Sequence, residues 1–88
     1  MAELSLAQIV ISRQGKDAGL IYVVSGFEQD GRVALIRPPK HNVNSPKKKN
    51  AKHLQPTSKC AEELLEHIKA GQNIDAGFFY RSVGINGE

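Results

Sequence analysis

Ala7-Gln8-Ile9-Val10-Ile11-Ser12-Arg13-Gln14-Gly15-Lys16-Asp17-Ala18-Gly19-Leu20-Ile21-Tyr22-Val23-Val24 sets the fold class of this chain. Its two ends are short runs rich in β-branched residues, which pack well on a pleated surface. Between them, Arg13 to Gly19 is polar and holds two glycines, which reach positive φ without a Cβ penalty. The stretch predicts two strands around a sharp turn, beginning near Leu6. Gly26 then interrupts the apolar run and predicts a bulge or a strong bend.

Outward from this hairpin the pattern continues. Asp30-Gly31 lies between apolar runs and favours a tight turn with positive φ. Arg32-Val33-Ala34-Leu35-Ile36-Arg37 reads as a third strand, stopped by Pro38-Pro39 because proline lacks the ladder N–H. Lys40 to Lys52 reads as an irregular basic connection, with one short strand near His41-Asn42-Val43-Asn44. Leu54 is the apolar anchor that follows, and Pro56 is expected to end that piece.

A helix is predicted from about Lys59 to Ala70, with Thr57 or Ser58 as N-cap. Ala61, Leu64, Leu65 and Ile68 recur at helical spacing and form one apolar face. Glu62 and Glu63 lie near the positive end of its dipole, Lys69 lies in the last turn and Gly71 offers a C-cap. Beyond it, Ile74, Phe78, Phe79, Tyr80, Val83 and Ile85 are too apolar for a free tail. They are expected to pack on the domain or on a partner, with the last three residues loose. Short twisted strands with tight turns can close into a small barrel, so the chain reads as mostly β with one C-terminal helix and a short apolar tail. It divides into a barrel over 1–56, with a lysine segment at 40–53, a helix over 57–71 and a tail over 72–88, all within one domain.

Charge is distributed unevenly. The 88 residues carry a net +3. From Pro38 to Lys59 there are six lysines and no Asp or Glu, whereas residues 1–37 are neutral and residues 60–88 carry −3. A segment of this kind attracts polyanions through Coulomb force and counterion release. General solubility and a targeting address are the alternative readings of Pro46-Lys47-Lys48-Lys49. Lysine is a point charge on a flexible stem, so such contacts position phosphate rather than read bases.

Other features bound the function classes. A single cysteine allows no internal disulfide. Together with a start that lacks a basic leader, it points to a reducing cytoplasm. Apolar runs such as Ile9-Val10-Ile11 are too short to cross a bilayer. His41, His53, Cys60 and His67 have no close ligand pair, so no metal site is expected. No cofactor is expected either. Cys60 reads as a small buried residue at a helix start. There is no phosphate-binding glycine loop with its lysine, no nucleophile elbow and no convincing carboxylate dyad, so an enzyme is not expected. Glu62, Glu63 and Glu66 read as solvated charges. Phe78-Phe79-Tyr80 reads as core or dimer packing, with base stacking as the alternative. Tyr22 reads as core with its hydroxyl at the edge.

The quoted hairpin resembles the KOW motif of ribosomal proteins and transcription elongation factors. That motif alternates polar and apolar residues around a central glycine, here Gly15, followed by a basic residue, here Lys16, and a second glycine, here Gly19. With Pro46-Lys47-Lys48-Lys49-Asn50 and Lys52-His53-Leu54, the chain is similar to small bacterial KOW-containing RNA-binding proteins. Those are in turn similar to the large-subunit ribosomal protein fourteen family of archaea and eukaryotes. The resemblance covers about residues 5–56 and implies an SH3-like barrel that binds RNA, ribosomal RNA above all. It implies that Arg13 and Lys16 face RNA and that the lysine segment takes part. The chain departs from the motif at Asp17-Ala18, where many members carry a basic residue.

The expected RNA-binding residues are Arg13, Lys16, Arg37, Lys40, Lys47, Lys48, Lys49, Lys52 and His53. Arg13 and Lys16 flank the glycine turn, Arg37 precedes the proline stop, and His53 could stack on a base or bond phosphate. The expected function is a non-enzymatic RNA-binding protein of the translation apparatus. The alternative is a protein-interaction module of the translation or transcription machinery, engaging a partner through the acidic helix and aromatic tail.

Overall fold

Five antiparallel strands form the sheet in the computed structural model, which describes residues 3–84. They are β1 (Gln8–Ser12), β2 (Ile21–Phe27), β3 (Arg32–Ile36), β4 (Lys47–Asn50) and β5 (Leu54–Cys60), in the sheet order β4-β3-β2-β1-β5. Two helices follow, α1 (Leu65–Ala70) and α2 (Ala76–Val83). A 3-10 turn at Ala51–His53 joins β4 to β5, and a second at Glu62–Leu64 leads into α1. Ile85 and the last three residues, for which packing and looseness are expected, lie outside the described residues.

β1, β2 and β3 bury side chains on both faces of the sheet, in keeping with their near-continuous apolar runs. Ile9, Val23 and Ile36 pack with Ala61, Leu64, Ile68, Ile74 and Phe79, so the helical region covers one face. Val10, Tyr22, Val24, Val33, Leu35 and Leu54 form a second cluster on the other face. Leu54 on β5 shares that cluster with Val33 and Leu35 on β3, although β1 and β2 lie between those strands. The sheet must therefore be strongly curled, yet strand pairing does not close it: β4 and β5 are its two edges. The Gly26 bend is realised as a register shift between Val24 and Gly26 against β3. Gly31 takes φ +87° at the β2–β3 turn.

Several expectations about the chain after Pro39 are corrected. The strand expected near residues 41–44 is absent there; only isolated bridges, Arg37 to His41 and Asn42 to Ser45, occur. The lysine run forms the strand instead, pairing Lys47, Lys48 and Lys49 with Leu35, Ala34 and Val33. Charged lysines suit an edge strand, where they oppose pairing with another chain. Asn42 explains part of the loop: its amide donates to the Ile74 carbonyl at 2.9 Å and accepts from the Ile74 N–H at 2.8 Å, tying the loop to the segment before α2.

The helix expected from Lys59 starts later. Residues Leu54–Cys60 form β5 along β1, and Pro56 does not end it. An edge strand has one unpaired side, where a residue without an N–H costs no ladder bond. Thr57 is not a helix cap. Its hydroxyl donates to the Ile9 carbonyl at 2.7 Å, and the Gln8 side chain donates to the Thr57 carbonyl at 2.9 Å. These bonds satisfy backbone groups at the irregularity between Gln8 and Val10, where β5 carries extra residues. Cys60 ends β5 and is exposed, not buried at a helix start. The apolar face of Ala61, Leu64 and Ile68 is buried as expected, and Gly71 caps α1 in the left-handed region at φ +71°.

The aromatic tail is a helix, α2. Asp75 caps α2 by accepting from the Phe78 N–H at 3.1 Å. Phe79 is fully buried against the sheet, while Phe78 and Tyr80 are partly buried around the same cluster.

Candidate nucleic-acid interface

The β1–β2 turn and the loop after β3 form the walls of a groove with a volume of about 640 Å³. Gly15 and Gly19 take φ of +91° and +92°, allowing the chain to reverse between β1 and β2. The turn closes through Ala18 N–H to the Gly15 carbonyl at 3.1 Å and Leu20 N–H to the Asp17 carbonyl at 3.0 Å. The loop after β3 is held by a reciprocal pair: Arg37 N–H donates to the His41 carbonyl at 2.7 Å, and His41 N–H returns to the Arg37 carbonyl at 3.2 Å. This presents Pro39 and Lys40 at an exposed tip.

Asp17 is the centre of the groove's polar network. Its carboxylate accepts from the Tyr22 hydroxyl at 2.8 Å, the Ser12 hydroxyl at 3.0 Å and the Lys49 ammonium at 3.2 Å. The Lys47 ammonium lies 3.8 Å away. Asp17 and Lys49 expose only 13% and 14% of their side chains. Burial alone would raise the Asp17 pKa, but the Tyr22, Lys49 and Ser12 hydrogen bonds and the Lys49 charge outweigh it and hold the group at about 2. Burial and the Asp17 carboxylate push the Tyr22 phenol up, so it stays protonated and donates. A Cβ on Gly15 would sit 3.4 Å from an Asp17 oxygen and 3.6 Å from the Lys49 nitrogen, so this glycine also leaves room for the ion pair.

His41 lines the groove near the Tyr22 ring, with centroids 6.3 Å apart. Burial and the Lys47 and Lys40 charges lower its pKa, opposed by Asp17. Arg37 is held as an oriented plane. Its guanidinium donates to the Ile21 carbonyl at 3.0 Å and lies 5.7 Å from the centre of the Tyr80 ring.

The nine expected RNA-binding residues do not form one surface. Lys16, Arg37, Lys40, Lys47 and Lys49 line the groove, with Asp17 the one carboxylate among the lining residues. Lys48 does not line it; strand alternation turns it away, and its ammonium sits 3.5 Å from Glu28. Arg13, Lys52 and His53 gather elsewhere: the Arg13 N–H donates to the His53 carbonyl at 2.8 Å, and Arg13 and Lys52 are exposed. The reading that the lysine run lacks compensating acids is thus corrected. Asp17 and Glu28 are distant in sequence and reach it only through the curled sheet.

Sequence reasoning missed the groove's apolar wall. Leu20, Pro39 and Tyr80 line it, and Leu20 is 38% exposed. Tyr80 arrives from α2, so its place depended on a packing that no local pattern reveals. Asp17 carried a signal, since it marks the departure from the KOW pattern. A second groove, about 440 Å³, is lined by Leu4, Phe27, Val33 and Ala51 beside Glu3, Glu28 and Arg32. Among the described residues no group of three or more His, Cys, Asp or Glu could hold a metal ion, and no helix is long and apolar enough to cross a membrane.

Comparison of the chain with protein-family models and with curated proteins gives no match.

Proposed function

We propose that this protein is a non-enzymatic RNA-binding module with an SH3-like barrel, acting in the cytoplasm on ribosomal or ribosome-associated RNA. The observation that carries the reading is the groove itself: five cationic side chains surround it against a single carboxylate. Asp17 neutralises part of the Lys47 and Lys49 charge, leaving Lys16, Arg37 and Lys40 as the principal uncompensated cations. The barrel reading is supported by β1 pairing with both β2 and β5 and by the curl that brings Leu54 to Val33. The KOW resemblance of the β1–β2 hairpin adds the expectation of RNA. Phosphate neutralisation and shape recognition are the physical basis, since side chains cannot read the deep groove of A-form RNA.

The test is fluorescence anisotropy with a structured ribosomal RNA fragment and a DNA duplex of matched length, across a salt series. Contact with about four phosphates gives a slope of log affinity against log salt of roughly −3 to −4. Preference for the RNA with a slope in that range is the expected result. Equal affinity for both nucleic acids, or no binding near physiological salt, would refute it.

A protein-interaction module of the translation or transcription machinery is the second reading. The observation favouring it is Phe27, 54% exposed at the end of β2 beside the second groove. The aromatic tail does not serve this reading as expected, because Phe79 is buried within the domain. A partner engaged here would bind in a manner insensitive to salt and would be released by Phe27→Ser.

A further inference from the structure

The cationic groove has a lining that phosphate binding alone does not require. Backbone phosphates need exposed cations on an open surface. Here the cations border a recess with an apolar wall of Leu20, Pro39 and Tyr80. At about 640 Å³ the recess falls within the range of about 300–1000 Å³ typical of sites that enclose a small organic group. Arg37 lines the same recess with its guanidinium plane fixed by the Ile21 carbonyl and the Tyr80 ring. Exposed Lys16, from the β1–β2 turn, and Lys40, from the loop after β3, also line it. An apolar wall, an oriented guanidinium plane and flanking ammoniums together match one chemical unit: a planar base joined to phosphates on either side. Single-stranded RNA elements are read in this way, by bases splayed from the stack onto aromatic or guanidinium planes.

Resting on the RNA-binding reading, we propose that the groove receives one unpaired nucleotide, so that the preferred ligand is an RNA helix carrying a bulged or looped-out residue. The base lies against Leu20, Pro39 and the Arg37–Tyr80 pair, and the flanking phosphates meet Lys16 and Lys40. Asp17 serves as the internal counter-charge that keeps Lys49 and Lys47 ordered beneath it.

The test compares a hairpin RNA carrying a single bulged 2-aminopurine with the same hairpin fully paired. The wild-type protein is expected to bind the bulged RNA about tenfold more tightly and to change the 2-aminopurine fluorescence at saturation. Leu20→Ser, at an exposed position, is expected to abolish the preference for the bulged hairpin. Tyr80→Leu is expected to act in the same direction, with its thermal melt recorded because Tyr80 also packs edge-on against Phe79. Lys52→Ala, outside the groove, is expected to weaken both RNAs equally. Equal affinity for the two hairpins with a steep salt slope would overturn this inference and leave the RNA reading standing. A preference that survives Leu20→Ser would also overturn it. Failure to bind either hairpin at low salt would overturn both.

Discussion

At the scale of single residues, Asp17 decides how the basic segment behaves. Its pKa in the folded chain is about 2, below the ordinary carboxylate value of 3.8. A depressed carboxylate contributes stability above its unfolded pKa and loses it as pH falls through the folded pKa. The window is therefore pH 4 down to 2. That difference corresponds to roughly 2 kcal/mol. Asp17→Asn should lower stability by about that amount at pH 7, because it leaves Lys49 without its buried partner. The gap to wild type should narrow to a small fraction of its pH 7 value near pH 2, where the wild-type carboxylate is itself about half protonated. Urea denaturation at several pH values checks this; a gap as wide at pH 2 as at pH 7 would contradict it. His41 offers a second titration. Burial, Lys47 and Lys40 favour its neutral form against the pull of Asp17. Its folded-state contribution is present above about pH 6.5 and is lost as pH falls. Phosphates entering the groove would offset the lysine charges and raise its pKa. An NMR titration of the His41 ring should give a midpoint below 6.5 for the free protein and a higher one with RNA. A midpoint unmoved by saturating RNA would place the phosphates elsewhere.

At the scale of elements, legibility followed the balance between local and distant forces. The β1–β2 hairpin, the Gly26 bend and the Asp30-Gly31 turn were readable because glycine placement and strand formers agree locally. Lys47–Asn50 was not, since three lysines have poor strand propensity. They pair because β3 offers an open edge at Val33–Leu35. Thr57 and Ser58 misled for the opposite reason: they are good caps, yet β1 claims the segment through ladder bonds and the Thr57 hydroxyl. All five groove cations, Lys16, Arg37, Lys40, Lys47 and Lys49, were among the residues expected from sequence, but so were Arg13, Lys48, Lys52 and His53, which do not line it. Tyr80 and the Lys48 orientation depended on α2 packing and strand alternation. Thr57→Val tests the corrected assignment. It removes the hydroxyl bond to the Ile9 carbonyl, so stability should fall by about 1 kcal/mol. In hydrogen exchange, loss of protection should centre on β1 and β5 rather than on α1. Weakening confined to Glu62–Ala70 would instead support the cap.

At the scale of the whole molecule, the fold divides one basic segment among several directions. Lys16 and Lys40 line the groove, Lys48 lies beside Glu28, and Lys52 is next in sequence to His53, whose carbonyl accepts from the Arg13 N–H. Net charge alone would predict that every lysine weakens polyanion binding equally when removed. Geometry predicts otherwise. Each phosphate that goes unneutralised should flatten the salt slope by about 0.7 to 0.9. Lys16→Ala with Lys40→Ala should therefore flatten it by about 1.4 to 1.8. Lys48→Ala should leave it nearly unchanged, because its exposed pairing with Glu28 already limits its field and is itself worth little to stability. Replacing Lys47, Lys48 and Lys49 together should flatten the slope by about 1, the share of Lys47, while also destabilising the fold through Lys49. Each variant would be titrated over one salt series with one RNA. Equal effects from Lys16, Lys40 and Lys48 would mean that binding follows total charge and that the groove has no privileged role. A larger effect from Lys48 than from the groove pair would move the interface to the opposite side of β4.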